Sequence, residues 1–157
     1  MKVILASDHA GYAYKTIIQK ALMEEGYKTL DLGAHTIIPT DDYPDYAVIA
    51  AEALLQQKGD RVILICGSAV GVSVAANKYK GIRAAVCHDT YSAHQSVEHD
   101  NANILCIGQR VIGIDLAQDI VRTFLKARFS NAPRHIKRLE KIAALENKNM
   151  KEDKINQ

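Results

Sequence analysis

The sequence lacks the marks of several large functional classes. Its three cysteines, Cys66, Cys87 and Cys106, stand far apart with no CxxC pair, which argues against a zinc ribbon or a redox couple and fits free thiols in a reducing compartment. Neither GxxxxGK[ST] nor GxGxxG occurs, so a P-loop and a dinucleotide fingerprint are both missing. No internal repeat, low-complexity linker or Pro/Gly-rich boundary divides the 157 residues. The formal net charge is only +2, too small to indicate a nucleic-acid or membrane partner. The first residues, MKVILASDHAGY, form a short apolar run with no long h-region, cleavage site or spanning segment. A cytoplasmic location is expected.

What is present is a globular composition, 48% hydrophobic and 24% charged, that needs a packed core and is the right size for one domain. Apolar runs at Lys2 to Ala6, Tyr27 to Leu32, Arg61 to Cys66, Ile82 to Cys87 and Asn103 to Ile107 read as strands buried on both faces. Helical spacing lies between them, for example Tyr14, Ile17, Ile18, Ala21 and Leu22, then Ala47, Ala50, Ala51, Leu54 and Leu55. Strand and helix in alternation predict an α/β fold, a doubly wound five-stranded parallel sheet with helices on both faces. One domain over residues 1–146 is expected, followed by a polar tail from Asn147 to Gln157.

In such sheets ligands bind beyond the carboxyl ends of the strands, where helix N-termini offer backbone N–H groups to anions. Cys66-Gly67-Ser68-Ala69-Val70-Gly71 follows one strand and opens a helical stretch, so its backbone can form a nest of donors with a thiol at the edge. Ser7-Asp8-His9-Ala10-Gly11 puts an acid and an imidazole after the first strand, beside the Cys66 loop if the two strands are neighbours. Taken alone, Cys66 is a small buried hydrophobe and Asp8 a helix cap. Glu98-His99-Asp100-Asn101 offers a second imidazole able to exchange protons near neutrality. Arg134 and Arg138 are four apart on one helix face, a spacing that can hold a phosphate or form a solvated basic surface. Arg110, just past the fifth strand, can join them. In Asp41-Asp42-Tyr43-Pro44-Asp45-Tyr46, capping accounts for Asp42. A metal site there is disfavoured because the one histidine close in sequence is His35.

Together these motifs resemble the type B ribose-5-phosphate isomerases, grouped with the galactose-6-phosphate isomerase subunits. The resemblance covers nearly the whole chain: SDHAG at Ser7 to Gly11, DYPDYA at Asp42 to Ala47, CGSAVGVSVAANK at Cys66 to Lys78, GIRAAVCHDTYSA at Gly81 to Ala93 and NILCIGQRVIG at Asn103 to Gly113. It implies a Rossmann-like three-layer α/β/α sandwich acting as a homodimer, or a tetramer built from it, with active sites shared between subunits. The implied chemistry is aldose-ketose isomerisation through an enediolate, with no metal and no cofactor. By resemblance Cys66 is the base, His99 opens the sugar ring and Ser68 supplies a hydroxyl. Asp8, His9 and Tyr43 meet the substrate, the backbone of Gly67, Ala69, Val70 and Gly71 meets the enediolate oxygens, and Arg110, Arg134 and Arg138 bind phosphate.

The family loop usually reads CGTGxG, and asparagine usually follows the ring-opening histidine. Ser68, Ala69 and Asp100 depart from that pattern. Ser68 keeps a hydroxyl, Ala69 needs either a backbone without positive φ or some strain, and Asp100 turns away from the enediolate or selects a different substrate. Ribose 5-phosphate is the expected substrate. The alternatives are a six-carbon phosphate such as galactose 6-phosphate or allose 6-phosphate, and a non-catalytic sugar-phosphate binder. A flavin or nucleotide protein has only topology in its favour.

Overall fold

A computed structural model describes residues 1–150. Five parallel strands, β1 (Lys2–Ser7), β2 (Lys28–Asp31), β3 (Arg61–Cys66), β4 (Ala84–Val86) and β5 (Ile104–Gly108), form one sheet in the order β2-β1-β3-β5-β4. Helices α1 (Tyr12–Glu24), α2 (Tyr43–Leu55), α3 (Val70–Ala76), α4 (Thr90–Asp100), α5 (Ile114–Lys126) and α6 (Pro133–Asn149) complete the fold. The expected α/β/α sandwich is what forms. Among the described residues no helix is long and apolar enough to cross a membrane.

The strand alternation sorts the core into two layers. Val3, Leu5, Ile63, Ile65, Leu105 and Ile107 pack against α1, α4 and α5 through Ile18, Leu22, Val97, Ile120 and Phe124. Ile4, Ala6, Val62, Leu64, Ile104 and Cys106 face α2 and α3 through Ala47, Ala50, Ala51, Val72 and Ala76. Alanines along α2 let that helix lie close to the sheet. Only β1, β3 and β5 are nearly wholly buried; β2 and β4 are partly exposed along their length. The expectation that all five are buried on both faces therefore fails at the edges, where a strand has one neighbour.

Helical spacing also concealed a charge. Lys15 is 1% exposed on the inner face of α1, and its ammonium lies 2.6 Å from both carboxylate oxygens of Asp31 at the end of β2. Pairing of this kind is what permits a buried lysine. At the other end of the chain, α6 spans Pro133–Asn149 and so includes the first three residues of the tail expected from Asn147. Residues 151–157 lie outside the described residues.

The order of β1 and β3 positions the site. The strand order reverses between these parallel neighbours, the chain leading from β1 outward to β2 on one side and from β3 outward to β4 on the other, which opens a crevice at their carboxyl ends. The Ser7 and Cys66 segments meet there, as their placement in the sequence suggested.

Candidate active site

The end of β3 forms the floor of this crevice. Cys66 is 5% exposed, and its Sγ accepts the amide of Ala69 at 3.0 Å, which fixes the sulfur beneath the loop. Ala69 has φ 71°, a left-handed conformation in which Cβ is crowded. Of the two outcomes foreseen for Ala69, strain is the one found, and the same turn brings its amide onto the thiol. The Val70 amide reaches Ser68 Oγ at 3.4 Å. Among the described residues the amides of Gly67 and Ser68 have no protein acceptor, so two donors of the expected nest stay free.

A cavity of about 310 Å³ lies over this loop. Asp8, His9 and Ala10 border it from β1, Tyr43 from the start of α2, Cys66, Gly67, Ser68 and Gly71 from the loop, and Arg110 and Val111 from beyond β5. A Cβ on Gly71 would fall 2.6 Å from Tyr43 Cζ, so the absence of a side chain there lets the tyrosine ring seat at the rim. The Arg110 guanidinium lies over Gly67, where an added Cβ would be 3.3 Å from Nη1. Its backbone is clasped to the loop through Arg110 N–H to Gly67 O at 3.0 Å. A fixed cation therefore borders the thiol's cavity.

Asp8 caps the turn after β1 by accepting the Gly11 amide at 3.0 Å. Burial pushes its carboxyl above the ordinary value, against the opposing pull of the Gly11 amide and His9. The cap and the cavity-lining role coexist in one side chain. Asp42, by contrast, stands at the N-terminus of α2 without a side-chain cap bond, which corrects the capping role read from its position. Its neighbour Asp41 is the functional-looking carboxylate: Oδ1 lies 2.5 Å from His9 Nδ1, and both oxygens accept the His9 amide at 3.1 and 3.0 Å. The histidine beside the acidic loop is therefore His9, 32 residues away in sequence, and not His35. One ligand atom each from Asp8, His9 and Asp41 lie within 4.8 Å of one another, although Asp41 already occupies His9 Nδ1.

The remaining candidates gather elsewhere. His99 lies near the end of α4, its ring centroid 4.1 Å from that of His135 on α6. Gln95 Nε2 lies 3.1 Å from His99 Nδ1, which leaves Nε2 to carry the proton of the neutral ring. His135 is buried; Ser130 Oγ lies 2.6 Å from its Nδ1, and Arg134 Nε donates to its Nε2 at 3.0 Å. Burial first, then the nearby His99, Arg134 and Arg138 charges, push His135 below the usual histidine value. It is held neutral, as an acceptor for Arg134. Arg138 shares the exposed face of α6, and Asp100 lines a separate groove of about 410 Å³ with Arg83 and Leu145. Cys66 pairs with Gly108, and Val62 with Ile104. His99 precedes Ile104, so it lies toward the opposite end of the sheet, about 13 Å away along four residues of strand. One chain does not bring His99, Asp100, Arg134 and Arg138 to the Cys66 cavity.

The family model described as Ribose/Galactose Isomerase matches residues 3–142, a span that contains every one of these residues. The chain belongs to the ribose/galactose isomerase family. Within that family, ribose-5-phosphate isomerase B of Escherichia coli is 43% identical over 145 residues, 92% of this chain and 96% of that protein. D-erythrulose-4-phosphate isomerase 2 of Mycolicibacterium smegmatis is 38% identical over 148 residues, 93% and 97% of the two chains. The structure of Clostridium thermocellum ribose-5-phosphate isomerase B matches with a TM-score of 0.91 at 49% identity, covering 94% of this chain and 99% of that one. This member of the family is accordingly a sugar-phosphate isomerase. Burial pushes its other thiols, Cys87 and Cys106, upward, which keeps them as protonated core residues. Sequence reasoning missed Asp41, which meets His9 across 32 residues, Gln95, which reaches His99 one turn along α4, and His135, which stood within a basic run that drew attention to its arginines.

Proposed function

We propose that this enzyme interconverts ribose 5-phosphate and ribulose 5-phosphate through an enediolate. The observation that carries the reading is Cys66 Sγ under the cavity, hydrogen-bonded by Ala69 and flanked by the free Gly67 and Ser68 amides. Once the ring is open, the Cys66 thiolate takes the proton from C2, charge moves onto O1, and the same proton is returned to C1. Ser68 hydroxyl passes the O2 proton to O1, so atoms and charge balance. Oriented amides facing charge as it develops supply a large part of such catalysis, about a hundredfold or more for each donor.

His99 opens the furanose ring, and Arg134 and Arg138 hold the phosphate together with Arg110. His99, Arg134 and Arg138 come from a second copy, because their own chain holds them away from its Cys66, while Arg110 belongs to the same chain as Cys66. A homodimer with two shared sites follows, with the His99 face of one protomer closing the cavity of its partner. No step calls for a metal ion or an organic cofactor.

A four-carbon substrate is the second reading, favoured by the 38% identity to the D-erythrulose-4-phosphate isomerase over nearly all of both chains. Purified enzyme is assayed on D-erythrulose 4-phosphate, ribose 5-phosphate, and allose and galactose 6-phosphates. Highest kcat/KM on ribose 5-phosphate supports the proposal; a preference for another length reassigns the substrate, and binding without turnover of any overturns the isomerase chemistry assigned to Cys66.

A further inference from the structure

We propose that Asp41 is a positioning residue for the reaction, accepting His9 Nδ1–H and so turning toward the anionic end of the substrate the Nε2 that takes up the ring's second proton as that anion binds. The carboxylate is fixed before any ligand arrives, since one oxygen faces Nδ1 at 2.5 Å while both accept the His9 backbone amide. The side chain of Asp41 is 9% exposed and that of His9 is 28% exposed, so the acid lies behind the ring and the ring faces the opening. His9 borders the cavity with Arg110, and among the described residues its Nε2 has no protein partner.

The tautomer of a histidine is set by whatever its other nitrogen bonds. With Nδ1–H committed to Asp41, a proton on Nε2 can point only at the ligand, and the carboxylate offsets the imidazolium charge as a phosphate approaches. Asp41 is kept ionised for this purpose: burial raises its carboxyl, but hydrogen bonds from the His9 side chain and amide and from Tyr46 outweigh it and hold the group below the usual range. The inference rests on the proposed function for the identity of the ligand, not for the tautomer.

The test separates the two. Nitrogen-15 NMR of the His9 imidazole in ligand-free wild type, Asp41→Asn and Asp41→Ala proteins reads the tautomer, and titration with inorganic phosphate reads the anion site. Wild-type His9 is expected in its neutral form with the proton on Nδ1. Asp41→Asn keeps that bond through its amide oxygen but loses the charge, and Asp41→Ala shifts the proton to Nε2. Replacing a charged by a neutral acceptor weakens phosphate binding and raises KM for the sugar phosphate about five- to tenfold, with kcat changed less than about twofold. A wild-type His9 protonated at Nε2, or an Asp41→Ala protein with unchanged tautomer and phosphate affinity, overturns the proposal. If ribose 5-phosphate is not turned over, the spectra and the phosphate titration still decide it.

Discussion

Mixing two inactive variants tests whether the site is shared. Cys66→Ala removes the base and His99→Asn the ring-opening acid, and each is expected to lower kcat by about a hundredfold or more as a single proton-transfer group. Within one chain the two residues lie toward opposite ends of the sheet, so in a dimer with shared sites each functional site takes Cys66 from one protomer and His99 from its partner. A mixed dimer then has one site with both residues intact and one with neither. After dissociation and random reassociation half the dimers are mixed, and recovered activity is about a quarter of wild type at equal total protein. The assay compares reassociated mixtures with each variant treated alone, using native mass spectrometry to count mixed dimers. Mixed dimers without recovered activity refute the shared site, and a monomeric wild type that is fully active refutes it more simply.

Three further outcomes follow from local geometry. Ala69→Gly relieves the residue at φ 71° and should stabilise the protein by about 0.5–1 kcal/mol, raising Tm by roughly 1–4 °C in a scanning-calorimetry trace. Gly71→Ala drives a Cβ to 2.6 Å from the Tyr43 ring, so the ring must leave the rim; KM should rise while Tm, tracked by circular dichroism, falls by no more than a few degrees. Burial holds His135 below 6.5, so the unfolded chain takes up a proton first as pH drops. Its contribution to stability is intact above about pH 6.5 and is lost as pH falls through the lower folded-state value. Urea melts across that range should show the decline, and His135→Gln should flatten it.

The central strands were plain in the sequence because β1, β3 and β5 are continuous apolar runs with neighbours on both sides. The edge strands were harder: β4 spans only Ala84–Val86, since a strand at a sheet's border needs little apolar surface. Cys66 and its loop were legible because a thiol, two glycines and a strand end are contiguous. The Asp41–His9 pair was not, because it joins the loop before α2 to the turn after β1, 32 residues apart in sequence. Nor did periodicity reveal Lys15, whose burial depends on Asp31 across the sheet. The separation of His99 from Cys66 needed strand register, which no local pattern encodes.

The central claim is that Cys66 moves the proton without metal. A coupled assay on ribose 5-phosphate, with chelator-treated wild type beside Cys66→Ala, tests it most directly. The account predicts metal-independent turnover that falls by at least about a hundredfold in the variant. Turnover that survives Cys66→Ala, or that requires added metal, would contradict it.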